Sequence, residues 1–149
     1  MSKIILLDSI RSMQNVWAIL RNCDWAWFEK MIMTWTTPTP PRNDISKTAL
    51  WAENVIDWEF YTNAMDALKL LKDNWYKIWS VELDEKAIDY RELHSIKEDK
   101  VVLVMWNEVS GVSKEILQIS DKIVIIPMRW IKESLNVSVA AWIVMYAVN

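Results

Sequence analysis

The sequence predicts an α/β domain built on a mostly parallel sheet flanked by helices. Three features lead there. Short apolar runs alternate with segments of helical periodicity along 149 residues, and strands alternating with helices imply a sheet covered by helical layers. Val101 to Met105 is a continuous apolar run rich in β-branched residues, typical of a strand buried on both faces. The last quarter, Lys122 to Val148, reads as a short strand, a stop at Pro127, a polar loop and a helix made of small residues. A helix N-terminus beside the carboxyl end of a strand is where open α/β sheets seat polar or anionic ligands. The length suits a single domain, 1–149, with a proper core.

Taken in order, Lys3 to Leu7 is the first strand and Ser12 to Cys23 a helix, with Val16, Ile19, Leu20 and Cys23 on the core side. Asn15 and Asn22 share another face of that helix, with Arg21 at its border. Met31 to Met33 is the second strand. Thr36 to Asn43 (TTPTPPRN) is an exposed loop, because its prolines remove amide donors and fix φ. Ile45 to Ala52 reads as a short helix and Val55 to Tyr61 as a strand. Asn63 caps a helix to Lys72, on which Ala64, Leu68 and Leu71 align. Tyr76 to Leu83 is another strand, and residues 84–99 are polar without clear periodicity. After Val101 to Met105 come a helix over Ser113 to Ile119, a strand over Ile123 to Ile126, and a helix starting near Ser134 or Asn136. Ser138, Ala140, Ala141 and Ala147 let that last helix press closely on a neighbour.

Composition excludes several classes. The one cysteine, Cys23, rules out a disulfide framework and fits a reducing cytoplasm. With a single histidine, His94, there is no ligand cluster for a metal. The longest apolar run, Val137 to Val148, is too short to span a bilayer, and no signal peptide precedes the first strand. A net charge of −3 argues against a generally basic nucleic-acid binder. Locally, however, Arg11, Arg21, Arg42, Lys47, Arg129 and Lys132 lie in or beside the polar motif segments described next, while acidic residues such as Glu82, Asp84, Glu85 and Asp89 gather between Asp57 and Asp99. The expectation is a basic face on an acidic body, with plain scatter the alternative.

Three long stretches carry a specific pattern: NVWAILRNCDWAW (Asn15 to Trp27), LVMWNEVSGVSKEIL (Leu103 to Leu117) and IPMRWIKESLNVSVAAWIVMY (Ile126 to Tyr146). In this order they resemble the three motifs of the SpoU/TrmH branch of the SPOUT RNA methyltransferases, over nearly the whole chain. The resemblance implies a deep trefoil knot formed by roughly Val101 to Val148, where a reading from base rates alone would give an unknotted doubly wound sheet. It implies transfer of a methyl group from S-adenosylmethionine to a ribose 2′-hydroxyl of tRNA or rRNA by a homodimer. It also implies site residues: Asn15 and Arg21 from the first motif, Glu108 from the second, Ser134 and Asn136 from the third. The cofactor positions would be Leu83, Val104, Met105, Trp106, Asn107, Ile126, Met128 and Leu135. By resemblance Arg21 is the catalytic arginine; since a guanidinium stays protonated above pH ~12, its role is to grip a phosphate and orient the hydroxyl.

Without the motifs these residues have plainer readings. A lone Arg21 is a solvated charge on a helix face, Glu108 caps the turn before Ser113, and Ser134 and Asn136 cap the last helix; capping and site roles are compatible. A catalytically inactive RNA-binding or assembly protein of the same fold is the alternative function. A dinucleotide-dependent oxidoreductase ranks last, because no G-x-G-x-x-G joins a strand to a helix even with glycine restored at every suspect position. Many relatives carry an extra RNA-binding domain for which this chain has no room, so substrate choice is expected from the core domain. The chain also ends soon after the last helix, so a few terminal residues are expected to be missing.

One departure is systematic. Where the family has glycine, this chain has Trp17, Trp35, Trp51, Trp75, Trp106, Trp130 and Trp142, with Trp25 and Trp27 alike. The chain holds 11 tryptophans and 1 glycine, against about 7% glycine in an average protein. The expectation is that UGA codons read as glycine in the source organism were rendered as tryptophan, with Trp58 a true tryptophan and Trp79 undecided. As written, Trp106 would fill or wall off the adenine slot, Trp142 would disturb close helix packing, and Trp17 would crowd the first helix.

Overall fold

The computed structural model describes residues 1–39, 56–129 and 135–148. The first strand, β1 (Ser2–Asp8), leads to helix α1 (Met13–Trp25), β2 (Lys30–Thr34), β3 (Asp57–Tyr61), α2 (Ala64–Asp73) and β4 (Lys77–Val81). Then follow a two-residue strand β5 (Ile88–Asp89), a 3₁₀ turn (Tyr90–Ser95), β6 (Lys100–Met105), α3 (Lys114–Ile119), β7 (Lys122–Ile125) and α4 (Val137–Ala147). The expected helix over Ile45 to Ala52 and the end of the proline loop lie outside the described residues. Residues 84–99 hold the two elements that periodicity missed. The 3₁₀ turn there is set by a capping box, in which Asp89 and Glu92 satisfy each other's backbone amides.

Seven strands form one sheet in the order β3-β2-β1-β6-β4-β7-β5, every pairing parallel. Alternate residues of each strand serve different cores. Ile5, Leu7, Met31, Met33, Val101, Leu103 and Met105 pack with α1 and α4, while Ile4, Leu6, Ile32, Val102 and Val104 pack with α2 and α3. This two-sided burial explains the unbroken apolar run of β6. The chain lays down β1, β2 and β3 in one direction and then crosses to β4. Late in the sequence β6 returns between β1 and β4, and β7 between β4 and β5. The carboxyl ends of β4, β6 and β7 therefore meet at one edge of the molecule.

Helix starts are capped by side chains, as expected at Asn63 and Asn136, and at Ser12, which the sequence places inside the first helix. The Ser12 hydroxyl accepts from the Asn15 amide at 3.3 Å, Asn63 Oδ1 from the Met65 amide at 2.8 Å, and Asn136 Oδ1 from the Ser138 amide at 2.9 Å. Helix ends are different. Trp27 (φ 56°) follows the end of α1 and Trp75 (φ 69°) the end of α2. In both, the next amide reaches back to a carbonyl five residues earlier: Phe28 to Cys23 at 2.9 Å, Tyr76 to Leu71 at 3.0 Å. That bond defines the Schellman motif, whose left-handed residue is normally glycine. Trp35 (φ 52°) takes the first central position of the turn closed by the Thr37 amide on the Thr34 carbonyl, where positive φ again favours glycine. Trp27, Trp35 and Trp75 are 80%, 66% and 84% exposed, so their rings gain little packing in exchange.

The other tryptophans divide. Trp17 and Trp79 are fully buried, and neither indole N–H finds a partner among the described residues, a cost that buried polar groups normally avoid. Trp58 stands within β3, where an aromatic suits a strand. Trp142 corrects an expectation. Its ring meets Trp25 edge-on at 5.8 Å and Tyr146 at 4.7 Å, while Val137, Ala140, Ala141, Val144 and Met145 form the buried face of α4. The small-residue face therefore packs without obstruction from the indole. Trp51 and Trp130 lie outside the described residues.

Candidate active site

Beyond β6 the chain makes a tight turn, Asn107 to Gly111, that the sequence builds in three ways. The Gly111 amide donates to the Asn107 carbonyl at 3.0 Å. Asn107 Oδ1 accepts from the Val109 and Ser110 amides at 2.8 and 3.1 Å. Asn107 Nδ2 donates to the Ser9 carbonyl at 2.6 Å, which ties the turn to the end of β1. Gly111 is the one glycine and is used fully. Its φ is +67°, and a Cβ there would lie 2.4 Å from Glu82 Oε2. Glu82 itself accepts from the Val112 and Leu83 amides at 2.8 and 2.7 Å. Gly111→Ala is therefore expected to destabilise the protein by roughly 1–3 kcal/mol, with faster amide exchange over Val109 to Val112; unchanged melting and exchange would contradict this account of the turn.

Between this turn, the ends of β4 and β7, and the start of α4 lies a cavity of about 190 Å³. Its walls include Val81, Glu82 and Leu83 after β4, Trp106 to Val109 and Gly111 after β6, Val124 to Ile126 and Met128 along β7, and Leu135 and Ala140. Of the expected cofactor positions, Leu83, Trp106, Asn107, Ile126, Met128 and Leu135 line it. Val104 and Met105 do not: both are fully buried in β6, their side chains committed to the two cores. Glu82 was overlooked in the sequence because it reads as one more acid in the acidic stretch. The signal that could have found it is its place at the carboxyl end of a strand in a parallel sheet.

From Glu108, which lines the cavity, three predicted residues form a chain. Asn136 Nδ2 donates to Asn15 Oδ1 at 3.1 Å, and Asn15 Nδ2 donates to Glu108 Oε1 at 3.4 Å. Glu108 also accepts from the Arg11 and Ser12 amides at 3.1 and 3.3 Å. Asn136 thus caps α4 with its oxygen and reaches Asn15 with its nitrogen. Burial pushes the Glu108 carboxyl up, but donation from its own amide, those of Arg11 and Ser12, and Asn15 outweighs this and holds it below the ordinary 4.5. Glu108 is an ionised orienting acceptor at neutral pH and a weak base. A depressed carboxyl contributes order that is present above its unfolded pKa and lost as pH falls through the folded one. The Arg11 and Ser12 amides should therefore keep their shifts in NMR down to about pH 5 and lose them below the ordinary carboxyl range; loss already at pH 6–7 would refute it.

Arg21 is half-buried on α1, is engaged in an interaction of its own and is not among the residues lining the cleft. It lies six positions beyond Asn15, which turns it well off Asn15's helix face. Asn22, on Asn15's face, instead donates to the Ser138 carbonyl at 3.4 Å and ties α1 to α4. Arg129 is exposed, and Arg11 lines a second cavity beside the turn. Ser134, Arg42, Lys47 and Lys132 lie outside the described residues. Among the described residues no three His, Cys, Asp or Glu side chains gather to hold a metal ion, and no helix is long and apolar enough to cross a membrane.

The fold and this cavity define a parallel-sheet domain with a ligand cleft at the carboxyl ends of its central strands. The model of the SpoU rRNA methylase family matches residues 2–146, and the chain belongs to that family. It is 30% identical over 146 residues to the tRNA (guanosine(18)-2′-O)-methyltransferase of Aquifex aeolicus, covering 96% of this chain and 66% of that one. The enzyme of the same name from Escherichia coli K12 is 26% identical over 142 residues, covering 95% and 60%. The chain thus spans less than two thirds of either curated relative's length. Among solved structures, the A. aeolicus TrmH/SpoU tRNA modifying enzyme superposes with a TM-score of 0.87 at 28% identity, over 99% of this chain and 73% of that one. An AdoMet-bound rRNA methyltransferase from Sinorhizobium meliloti shares the fold, with a TM-score of 0.89 at 23% identity over 99% and 55%.

Proposed function

We propose that this chain is a single methyltransferase domain, 1–149, that transfers a methyl group from S-adenosylmethionine to a ribose 2′-hydroxyl of tRNA or rRNA. The observation that carries the reading is the Asn136–Asn15–Glu108 hydrogen-bonded chain, whose Glu108 end lines a cleft formed by the ends of β4, β6 and β7. The cleft suits a nucleoside in kind: apolar walls from Leu83, Ile126 and Leu135 beside the polar turn at Asn107. Its volume is short of the usual ~300 Å³ and more, and Trp106 stands in its wall. When bound, the cofactor supplies an activated sulfonium methyl, so that the hydroxyl oxygen forms the new C–O bond as the C–S bond breaks.

The remaining work falls to the protein: holding the hydroxyl in line, excluding water and taking its proton away. Glu108, ionised and fixed by four donors, locks Asn15, and Asn15 in turn holds Asn136. Arg21 grips the RNA phosphate next to the reacting hydroxyl. Arg21 is assigned to a site shared with the neighbouring subunit, in a homodimer. The last third of the chain is knotted, as the late insertion of β6 and β7 between strands already laid down accords with. The buried, unbonded Cys23 suits a reducing cytoplasm.

Mapping 2′-O-methylated nucleotides in cellular RNA with and without the gene tests the activity: one position should lose its methyl group, and an unchanged map overturns the proposal. Mixing Arg21→Ala with Glu108→Gln chains should restore part of the activity that each lacks alone, since some mixed dimers hold one intact site; no recovery would argue against sharing. A second reading, a catalytically inactive RNA-binding or assembly protein of this fold, is favoured by one observation, the Trp106 indole in the cleft wall.

A further inference from the structure

We propose that the cleft tells the methyl donor from its demethylated product by charge, and that Glu82 sets this preference. This rests on the methyltransferase reading above. S-adenosylmethionine carries a sulfonium, an ammonium and a carboxylate, and so one net positive charge. In the transfer the hydroxyl oxygen forms the new C–O bond, the C–S electron pair stays on sulfur, and the hydroxyl proton passes to solvent. The product, S-adenosylhomocysteine, keeps the same adenosine and the same amino acid but has no net charge. A cleft with a fixed negative field holds the first more tightly than the second, which favours release of the spent cofactor.

Two carboxylates, Glu82 and Glu108, line the cleft, and among the described residues no Lys, Arg or His does. How they are held matters as much as where they stand. Salt bridges elsewhere pair Glu59 with Lys30, Asp121 with Lys77 and Asp89 with Arg91. Glu82 accepts instead from two backbone amides, Oε2 from Val112 at 2.8 Å and Oε1 from Leu83 at 2.7 Å. Glu108 likewise accepts from amides, those of Arg11, Ser12 and Asn15. An amide has no net charge, so these bonds fix each carboxylate in the wall without a counter-charge. Gly111 secures the arrangement at Glu82, since a Cβ there would lie 2.4 Å from Oε2. A cleft lined by one sign of charge between apolar walls focuses that field on its contents. Glu108 also organises Asn15 and Asn136, whereas among the described residues the Glu82 side chain bonds backbone alone. Its charge can therefore be removed with the Asn136–Asn15–Glu108 chain left in place.

The test is calorimetry on the whole chain, and in parallel on Trp106→Gly, with three ligands. They are S-adenosylmethionine, S-adenosylhomocysteine and sinefungin, in which a carbon bearing a protonated amine replaces the methylated sulfur. Both cationic ligands should bind about fivefold or more tightly than S-adenosylhomocysteine. Glu82→Gln should narrow that gap at least about threefold, and Glu82→Asp, which keeps the charge, should preserve most of it. The ratio is the readout, because damage to the fold weakens all three ligands together. Equal binding of the three, or a gap that survives Glu82→Gln, overturns the proposal. Sinefungin binding like S-adenosylhomocysteine overturns it too, since the preference would then come from the methyl group. If Glu82→Gln melts early, salt carries the test: a gap set by fixed charge shrinks as ionic strength rises, and a gap indifferent to salt overturns the proposal. A parallel methylation assay on RNA separates the two readings. Charge-selective binding with no methylated RNA refutes the methyltransferase reading and leaves this selectivity standing; methylation with equal binding of the three refutes the selectivity alone. No binding of any ligand to either chain overturns both.

Discussion

Replacing Trp27, Trp35 and Trp75 together by glycine is expected to raise the thermal midpoint by on the order of 5–10 °C. Each residue holds a left-handed backbone, at φ 56°, 52° and 69°, which costs an L-residue about 1–2 kcal/mol relative to glycine. Glycine gives back part of this through the greater freedom of the unfolded chain, some 0.4–1 kcal/mol. The exposed rings offer little burial to set against the exchange, so a net gain of about 1 kcal/mol per site follows. The sites lie at separate turns, so the gains should add. Trp58→Gly is the control: in β3, glycine should destabilise. If the triple variant melts no higher than the parent, the backbone argument is wrong. Sequencing these codons bears on the cause, since UGA at 27, 35 and 75 with UGG at 58 accords with decoding as glycine, and UGG throughout ends that idea.

Trp106→Gly is expected to tighten S-adenosylmethionine binding by at least about tenfold, read by calorimetry. The residue follows directly on β6, packs against both cores and lines the cleft, so its indole takes space at the place where an adenine ring would need a flat slot. Removing it enlarges a cavity of about 190 Å³ toward the size ordinary ligand pockets have. A small loss of stability from the emptied packing is expected beside the gain in affinity. Equal affinity in parent and variant refutes the obstruction. Binding that appears only in the variant would mean that the chain with Trp106 is silent as an enzyme.

Much of the architecture was legible because its signals are local. The apolar runs of β1 and β6, the helical spacing of Val16, Ile19, Leu20 and Cys23, and the caps at Asn63 and Asn136 all depend on neighbours in sequence. Residues 84–99 were opaque for the opposite reason. The strand β5 is two residues long and exists through its pairing with β7, and the 3₁₀ turn announces itself only through Asp89 and Glu92. In the site, the motifs pointed to Asn15, Glu108 and Asn136, which the fold joins across 93 and 121 residues of sequence. They did not separate Leu83 and Ile126, which face the cleft, from Val104 and Met105, which face the cores. That choice depends on which side of the pleat each residue occupies once β6 lies between β1 and β4.

By itself, then, the sequence determined the α/β class, most elements, the three motifs and the abundance of tryptophan at turns. Tertiary structure alone decided the strand order, the ring of backbone donors that keeps Glu108 ionised, and the placing of Glu82 against Gly111. It also decided the second cavity beside the turn. The physical reason is range. Periodicity and capping act over a few residues, whereas a pocket is made where segments far apart in the chain end on the same edge of one sheet.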